Sequence, residues 1–143
     1  MEINIYNNPE FPLEINEENI INFEYGIPGF EELKQFTIVD VEDYNPFLLL
    51  HSVEDHKIAM IVLNAGILDL EEDLKIPENK LKELNNGDES EVGIFLILKV
   101  IEEDKKLTAN TKAPVVINFQ NRKGRQIILD NENLSMDYPI SVS

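Results

Sequence analysis

The sequence predicts a mainly β domain whose strands form a small antiparallel or mixed β-barrel-like structure. The first observation is the run Val92–Val100, in which seven of the nine residues are large hydrophobes and four are β-branched. This run is too short to span a membrane and too β-branched for a helix, and a strand that is apolar on both faces needs cover on both sides. The second observation is that turn signals recur about every ten residues, which is typical of barrels and sandwiches.

The remaining strands are predicted from alternating or continuous apolar runs. Residues 3–5 and 13–15 flank the turn cluster Asn7–Glu10 and indicate an entry hairpin. The further strands expected before the central run are Ile20–Phe23, Gln35–Val41, Phe47–Leu50 and Ile58–Leu63.

The second half of the chain contains one departure from this strand pattern. Residues 68–86 predict a flap over one barrel opening, with a short helix that begins at Pro77 and ends near Leu84. Val115–Ile117 and Gln126–Leu129 are predicted to pair around a hairpin loop at residues 121–124. We therefore expect one domain over residues 1–130 and a flexible polar tail over residues 131–143.

Acidic residues dominate the first part of the chain. Residues 1–56 contain thirteen Asp and Glu and a single cation, Lys34, within a chain of formal net charge −16. Such a surface repels nucleic-acid phosphates and anionic lipid headgroups, whereas it attracts a basic protein. Composition alone leaves two readings open: the acidity serves solubility, or it serves a basic partner.

The absence of cysteine removes disulfides, thiol catalysis and Cys-ligated zinc from consideration. The first residues carry neither a basic segment nor an apolar segment of the kind found in signal peptides, and no stretch is long enough to cross a bilayer. These features predict a cytoplasmic protein.

His51, Glu54 and His56 are the candidate ligands for a metal ion, because imidazole and carboxylate groups lie close together in the sequence. No third partner with a recognisable spacing accompanies them, and a surface turn explains the same residues. His51, Ser52 and Asp55 include the residue types of a hydrolytic triad, but triads are assembled in space rather than by adjacency. We therefore predict no catalytic residues, no metal and no cofactor. A small barrel enzyme or ligand-binding protein that uses His51, Glu54 and His56 is the alternative.

Aromatic and aliphatic residues are concentrated in two predicted loops. Tyr25, Ile27 and Phe30 lie in a loop rich in Gly and Pro, and Tyr44 and Phe47 flank Pro46. They are either core plugs or parts of a recognition patch rimmed by Glu31, Glu32, Glu42 and Asp43. A third candidate, the basic hairpin tip Arg122, Lys123 and Arg125, is interpreted as a solubilising turn rather than a nucleic-acid site.

Several of these motifs, in this order, resemble the family of the flagellar assembly factor FliW. The similarity covers about residues 2–130 and is carried by short motifs: Glu24–Glu32, Asn45–Phe47, His51–Asp55, Thr108–Asn110, Ala113–Asn118 and Asn121–Leu129. Two stretches depart from the family pattern, Leu48–Leu50 and Asn64–Ile67, where aromatic residues are common in the family.

The resemblance implies a β-barrel-like fold and a bacterial, cytoplasmic, non-enzymatic function. Proteins of this family bind flagellin before export, and when freed they sequester the carbon storage regulator, a basic RNA-binding dimer that represses flagellin translation. Flagellin and the carbon storage regulator are thus the expected partners, and neither nucleic acid nor membrane is expected to bind directly. We expect a monomer in which Glu31, Glu32, Glu42, Asp43 and Tyr44 contribute to partner binding.

Overall fold

Strand β7, Gly93–Ile101, is the long apolar strand that the sequence predicts, and a barrel closes along it. The computed structural model describes residues 2–4, 12–70, 73–85, 92–101, 103 and 106–140. The other elements are β1 Glu2–Asn4, β2 Pro12–Glu14, β3 Ile21–Asn22, β4 Gln35–Val39, β5 Leu48–Ser52, β6 Ala59–Asn64, α1 Glu78–Asn85, β8 Lys106–Ala109, β9 Val115–Asn118, β10 Lys123–Gln126 and β11 Tyr138–Ile140. Single 3-10 turns occupy Glu17–Asn19, Glu42–Tyr44 and Ala65–Leu68.

Seven strands within the described residues close the barrel, in the order β7, β6, β5, β4, β3, β10, β9 and back to β7. Phe95 pairs with Asn64 of β6 and with Val115 of β9, so both edges of β7 are used at the seam. The pairing of β3 with β10 is parallel and the other pairings in the ring are antiparallel. The predicted β-barrel-like fold is thus confirmed, and of the two forms left open, antiparallel or mixed, the structure has the mixed one. Strands β1 and β2 form the predicted entry hairpin beside it.

The barrel interior is filled by side chains from alternating strand positions. Phe23 and Phe36 are completely buried there, with ring centroids 5.3 Å apart in an edge-to-face arrangement. The same cluster contains Ile21, Ile27, Leu50, Val62, Phe95, Val115 and Ile117. Because these positions alternate with outward-facing ones, each strand contributes half of its residues to the interior.

A second apolar cluster covers the outer face of β6, β7 and β9. Leu63 and Leu96 are register partners on this face, and Leu84 of α1, which packs beside β9 and β10, belongs to the same cluster. The predicted short helix is therefore present, but it packs on the outside of the barrel wall rather than across an opening. The two clusters together explain why β7 is apolar on both faces.

The C-terminal end of α1 is held by the turn that follows β9. The side-chain amides of Asn118 and Asn121 donate to the Leu84 carbonyl at 3.5 and 3.2 Å, and the Asn121 backbone N–H donates to the Asn118 side chain at 3.0 Å. These bonds satisfy a carbonyl that the helix leaves without an internal partner. The return strand begins at Lys123, opposite Asn118, and ends at Gln126, whereas the predicted strand was Gln126–Leu129. Beyond it, Ile127 and Leu129 lie in the outer cluster and donate backbone hydrogen bonds to the Pro114 and Lys112 carbonyls.

Residues 131–140 differ from the flexible tail expected of a polar segment. β11 pairs antiparallel with β8, and the Thr111 backbone N–H donates to the Ser135 carbonyl at 2.8 Å. The Ser135 N–H donates in return to the Thr111 hydroxyl at 2.9 Å. Leu134 and Ile140 also pack against the outer cluster, so a few hydrophobes suffice to hold this segment.

The outer face of β4 and β5 is covered by the segment that contains the Glu17–Asn19 turn. Thr37 donates to the Asn19 carbonyl at 3.1 Å, and its register partner is the fully buried His51. Nδ1 of His51 donates to the Ser52 carbonyl at 2.8 Å. Burial lowers the pKa of His51, the backbone bond opposes this effect, and the nearby His56 lowers the pKa further.

The contact between Gly124 and Phe23 gives a packing prediction. A Cβ at Gly124 would lie 2.5 Å from the Phe23 ring, which is enclosed on the other side by Phe36. We expect Gly124→Ala to lower the free energy of unfolding by about 2 kcal/mol, because the ring must leave its position. Urea denaturation measures this loss. In the Phe23→Leu background the same change is expected to cost much less, and equal losses in both backgrounds would contradict the contact.

The buried His51 gives a prediction of pH dependence. Its lowered pKa means that the folded protein disfavours the protonated ring, so this contribution to stability is complete above the unfolded pKa of about 6.5. It is lost as the pH falls from there through the folded pKa, since the unfolded chain then binds more protons. We expect the urea midpoint to fall across this window and the fall to be smaller in His51→Gln. His56→Gln removes only the smallest of the three effects on the pKa of His51, so we expect its profile to stay close to that of the wild type. A His51→Gln profile parallel to the wild type would refute the assignment.

Candidate functional site

The segment His51–His56, which contains the sequence candidates for metal or hydrolytic chemistry, forms the end of β5 and the turn that follows it. The Ser52 hydroxyl accepts hydrogen bonds from the backbone N–H groups of Glu54 at 3.1 Å and Asp55 at 3.0 Å. The Glu54 carboxylate accepts from the backbone N–H groups of Lys34 at 2.6 Å and Gln35 at 2.7 Å. These polar groups therefore fasten the beginning of β4 to the end of β5.

The predicted ligands His51 and Glu54 are not arranged to bind one metal ion together. His51 is completely buried, while Glu54 is exposed and bound to the backbone. Among the described residues, no three His, Asp or Glu side chains are grouped so that they could hold a metal ion. The barrel interior beneath this turn is packed with hydrophobic side chains.

The basic hairpin tip is also engaged within the protein. Arg122 donates to the Glu17 carbonyl at 2.8 Å, and Arg125 forms an ion pair with Glu83 of α1. The Arg125 guanidinium lies 4.3 Å from the centroid of the Tyr25 ring. Two of the three cations thus serve to connect the hairpin with neighbouring segments.

The Gly- and Pro-rich loop before β4 divides its apolar residues between core and surface. Ile27 is buried in the barrel interior, so the interpretation as a core plug is confirmed for this residue. Tyr25 and Phe30 are exposed. Gly26 has a φ of +67°, and a Cβ there would lie 2.7 Å from the Glu31 backbone, so the loop requires glycine at this turn.

Glu31 helps to hold the same loop. Its carboxylate accepts from the Gly29 N–H at 3.1 Å. Hydrogen bonds from the backbone of Gly29 and of Glu31 itself lower the pKa of this exposed carboxyl. Glu32 is exposed beside it.

The loop between β4 and β5 forms one wall of an open apolar groove, here called the Tyr44 groove. Its volume is about 310 Å³. It is lined by Val41, Tyr44, Phe47, Leu48, Leu49, Ile61 and Leu107. Tyr44 is 56% exposed, whereas Leu49, at the base, is buried. The groove can accept an apolar side chain without rearrangement of the core.

Carboxylates border this groove on the side of the 3-10 turn. Three exposed carboxylates are neighbours of lining residues in the sequence: Asp40 and Glu42 flank Val41, and Asp43 precedes Tyr44. Asp40 and Glu42 also line a small depression of about 230 Å³ together with Asn45, which places their side chains close together. An apolar floor with an acidic border suits a ligand that is both apolar and cationic.

The structure does not bring the five predicted contact residues into one patch. Glu31 and Glu32 precede β4, whereas Glu42, Asp43 and Tyr44 follow it. The five residues of β4 separate the two groups by about 17 Å, at the usual rise of a strand. Only the second group adjoins the Tyr44 groove.

Five of the seven groove residues were not predicted as site residues, namely Val41, Leu48, Leu49, Ile61 and Leu107. Ile61 faces outward on β6 as the register partner of Leu49, and Leu107 belongs to β8. The strand patterns that contain Ile61 and Leu107 are visible in the sequence. Their approach to Tyr44 is not, because it depends on how the sheet curves. The groove also includes Leu48 and Leu49, which lie in the stretch Leu48–Leu50 where aromatic residues are common in the family that the sequence resembles.

Comparison with known proteins gives one family. A sequence profile described as FliW protein matches residues 5–140. A protein of Thermosipho africanus named flagellar assembly factor FliW is 37% identical over 95% of this chain and 94% of its own length. A protein of the same name from Caldicellulosiruptor saccharolyticus is 42% identical over 88% of this chain and 82% of its own length.

The fold comparison agrees with the sequence comparison. A crystal structure of the flagellar assembly factor FliW matches with a TM-score of 0.85 and 32% sequence identity, over 97% of this chain and 96% of that chain. Because sequence and fold both match over almost the whole length, this protein belongs to the FliW family of flagellar assembly factors.

Proposed function

We propose that this protein is a non-enzymatic, partner-switching regulator of flagellin production. In this proposal it binds flagellin before export, and once flagellin has left it sequesters the carbon storage regulator, so that flagellin translation resumes. The observation that carries the proposal is the full-length match to flagellar assembly factors. The proposed location is the cytoplasm and the proposed state is a monomer that needs no cofactor.

The charge distribution supports a basic partner of this kind. The chain carries a formal net charge of −16, and residues 1–56 contain one cation. Opposite charge on a partner accelerates encounter and favours the correct orientation. The same charge disfavours direct contact with nucleic acid or anionic lipid, and among the described residues no helix has the length and hydropathy needed to cross a bilayer.

The alternative function as a small barrel enzyme or metal-binding protein receives no support from the described geometry. It required a polar cavity around His51, Glu54 and His56, and His51 is buried while Glu54 binds two backbone N–H groups. The contact residues of the proposed function remain those of the sequence hypothesis, Glu31, Glu32, Glu42, Asp43 and Tyr44. The structure supplies a groove beside the last three of them.

Calorimetry with the purified protein tests the central proposal. We expect binding to monomeric flagellin and, in a separate titration, to the carbon storage regulator. A pull-down from the lysate of a flagellated bacterium should recover the same two proteins. The absence of both interactions at micromolar concentrations would reject the proposed function.

Charge reversal at Glu42 and Asp43, compared with charge reversal at a control pair, distinguishes a local contact from attraction by the net negative charge of the protein. We expect the double variant Glu42→Lys with Asp43→Lys to slow association with the carbon storage regulator by about tenfold at low salt, because steering toward the groove is lost. The effect should shrink as ionic strength rises. Stopped-flow fluorescence measures the association rate.

The matched control is Asp130→Lys with Glu132→Lys, which changes the net charge equally at exposed positions outside the proposed contact residues. We expect a smaller decrease for this pair, through the overall field alone. Equal decreases would show that neither pair is a local contact. An unchanged rate in both would show that these carboxylates only maintain solubility.

A further inference from the structure

The Tyr44 groove is accessible and apolar, and the described residues do not cover it. Tyr44 is exposed over more than half of its surface, and Phe47, Leu48, Ile61 and Leu107 are only partly buried. Large apolar residues that remain together at a surface mark an interaction site more often than isolated ones do. The groove is therefore a candidate binding site in its own right.

The walls of the groove are held by hydrogen bonds and are ready to bind. The Tyr44 N–H donates to the Val41 carbonyl at 2.8 Å, and the Phe47 N–H donates to the Tyr44 carbonyl at 2.8 Å. The opposite wall is fixed by the pairing of Leu107 with Val100 in β7. A preformed groove loses little conformational entropy when a ligand enters.

The charges around the groove select the type of ligand. Glu42 and Asp43 are exposed in the 3-10 turn that ends at the groove residue Tyr44, and Lys34, the single cation in residues 1–56, lies at the opposite end of β4. Lys106, beside Leu107, already has an interaction within the protein. Cations on a ligand would thus meet carboxylates at the border while an apolar side chain enters the groove.

The same charges disfavour the other possible occupants. A second copy of this chain would bring another net charge of −16 and its own acidic border to the contact. Anionic lipid headgroups and nucleic-acid phosphates would be repelled in the same way. Among macromolecular surfaces, a basic protein segment satisfies both the apolar floor and the acidic border.

We propose that the Tyr44 groove binds a basic segment of a partner protein, with one large apolar side chain between Val41, Tyr44, Ile61 and Leu107 and flanking Lys or Arg side chains at Glu42 and Asp43. This inference rests on the proposed function, because it assigns to one groove the contact with a basic partner. It adds the chemistry of the recognised segment and the contribution of β6 and β8.

Peptide titrations followed by amide NMR test the assignment. The probe is a short helical peptide with leucines on one face and lysines on the other, and two control peptides replace the lysines with glutamates or the leucines with serines. We expect the Lys–Leu peptide to shift the amide signals of Val41, Tyr44 and Leu107 and both controls to bind at least about tenfold more weakly. Similar binding of the Glu–Leu peptide, or shifts confined to other surfaces, would overturn the proposal.

Two variants locate the contact on the protein. Tyr44→Ala should weaken peptide binding by about tenfold, since an aromatic contact residue is truncated, and its exposure allows the fold to persist. Asp130→Lys with Glu132→Lys, at exposed positions beside a different depression, is the control and should weaken binding far less than Glu42→Lys with Asp43→Lys. An equal loss for the two charge reversals would show that binding follows net charge rather than the groove. Concentration-dependent shifts at the groove without peptide would identify a second copy as the occupant and reject the proposal.

The same variants separate this inference from the proposed function. Tyr44→Ala that still binds flagellin and the carbon storage regulator with wild-type affinity would reject the groove assignment and leave the proposed function intact. Loss of regulator binding in Tyr44→Ala, with the thermal unfolding midpoint unchanged, would support both.

Discussion

The structure depends on β7, which must be covered on both faces and hydrogen-bonded on both edges. Phe95 faces the barrel interior and Leu96 faces the outer cluster, so adjacent residues serve different cores. Burial of both faces stabilises the strand through the hydrophobic effect, since each large side chain removed from water contributes about 2 kcal/mol. β6 pairs with one edge of β7 and β9 pairs with the other, which closes the sheet and leaves no free edge at the seam.

Packing against the outer cluster holds two segments in place, α1 and residues 131–140. α1 is only eight residues long, and an isolated helix of this length is not stable in water. Leu84 anchors it to the barrel wall, and Asn118 and Asn121 bind its terminal carbonyl. The segment 131–140 is held in a similar way, by Thr111 and by β8. Both segments therefore depend on the closed barrel rather than on their own propensity.

The polar motifs of the chain serve two distinct purposes. Ser52, Glu54 and Asn118 use their side chains to bind backbone groups, which explains their recurrence beside turns without any catalytic function. The carboxylates of Glu42 and Asp43 are instead exposed in the 3-10 turn that contributes Tyr44 to an apolar groove. This division separates the residues that maintain the fold from those available to a partner.

The sequence by itself determined the small β-barrel-like class, the central strand and the short helix near Pro77, because hydrophobic periodicity and Gly or Pro turns act over a few residues. The tertiary structure alone decided that α1 packs outside the barrel and that residues 131–140 join β8. It also decided that Ile27 is buried, that β3 and β10 pair in parallel, and that Leu107 approaches Tyr44. These features arise from sheet closure and twist, which bring distant segments together and therefore leave no signal in any single stretch of the chain.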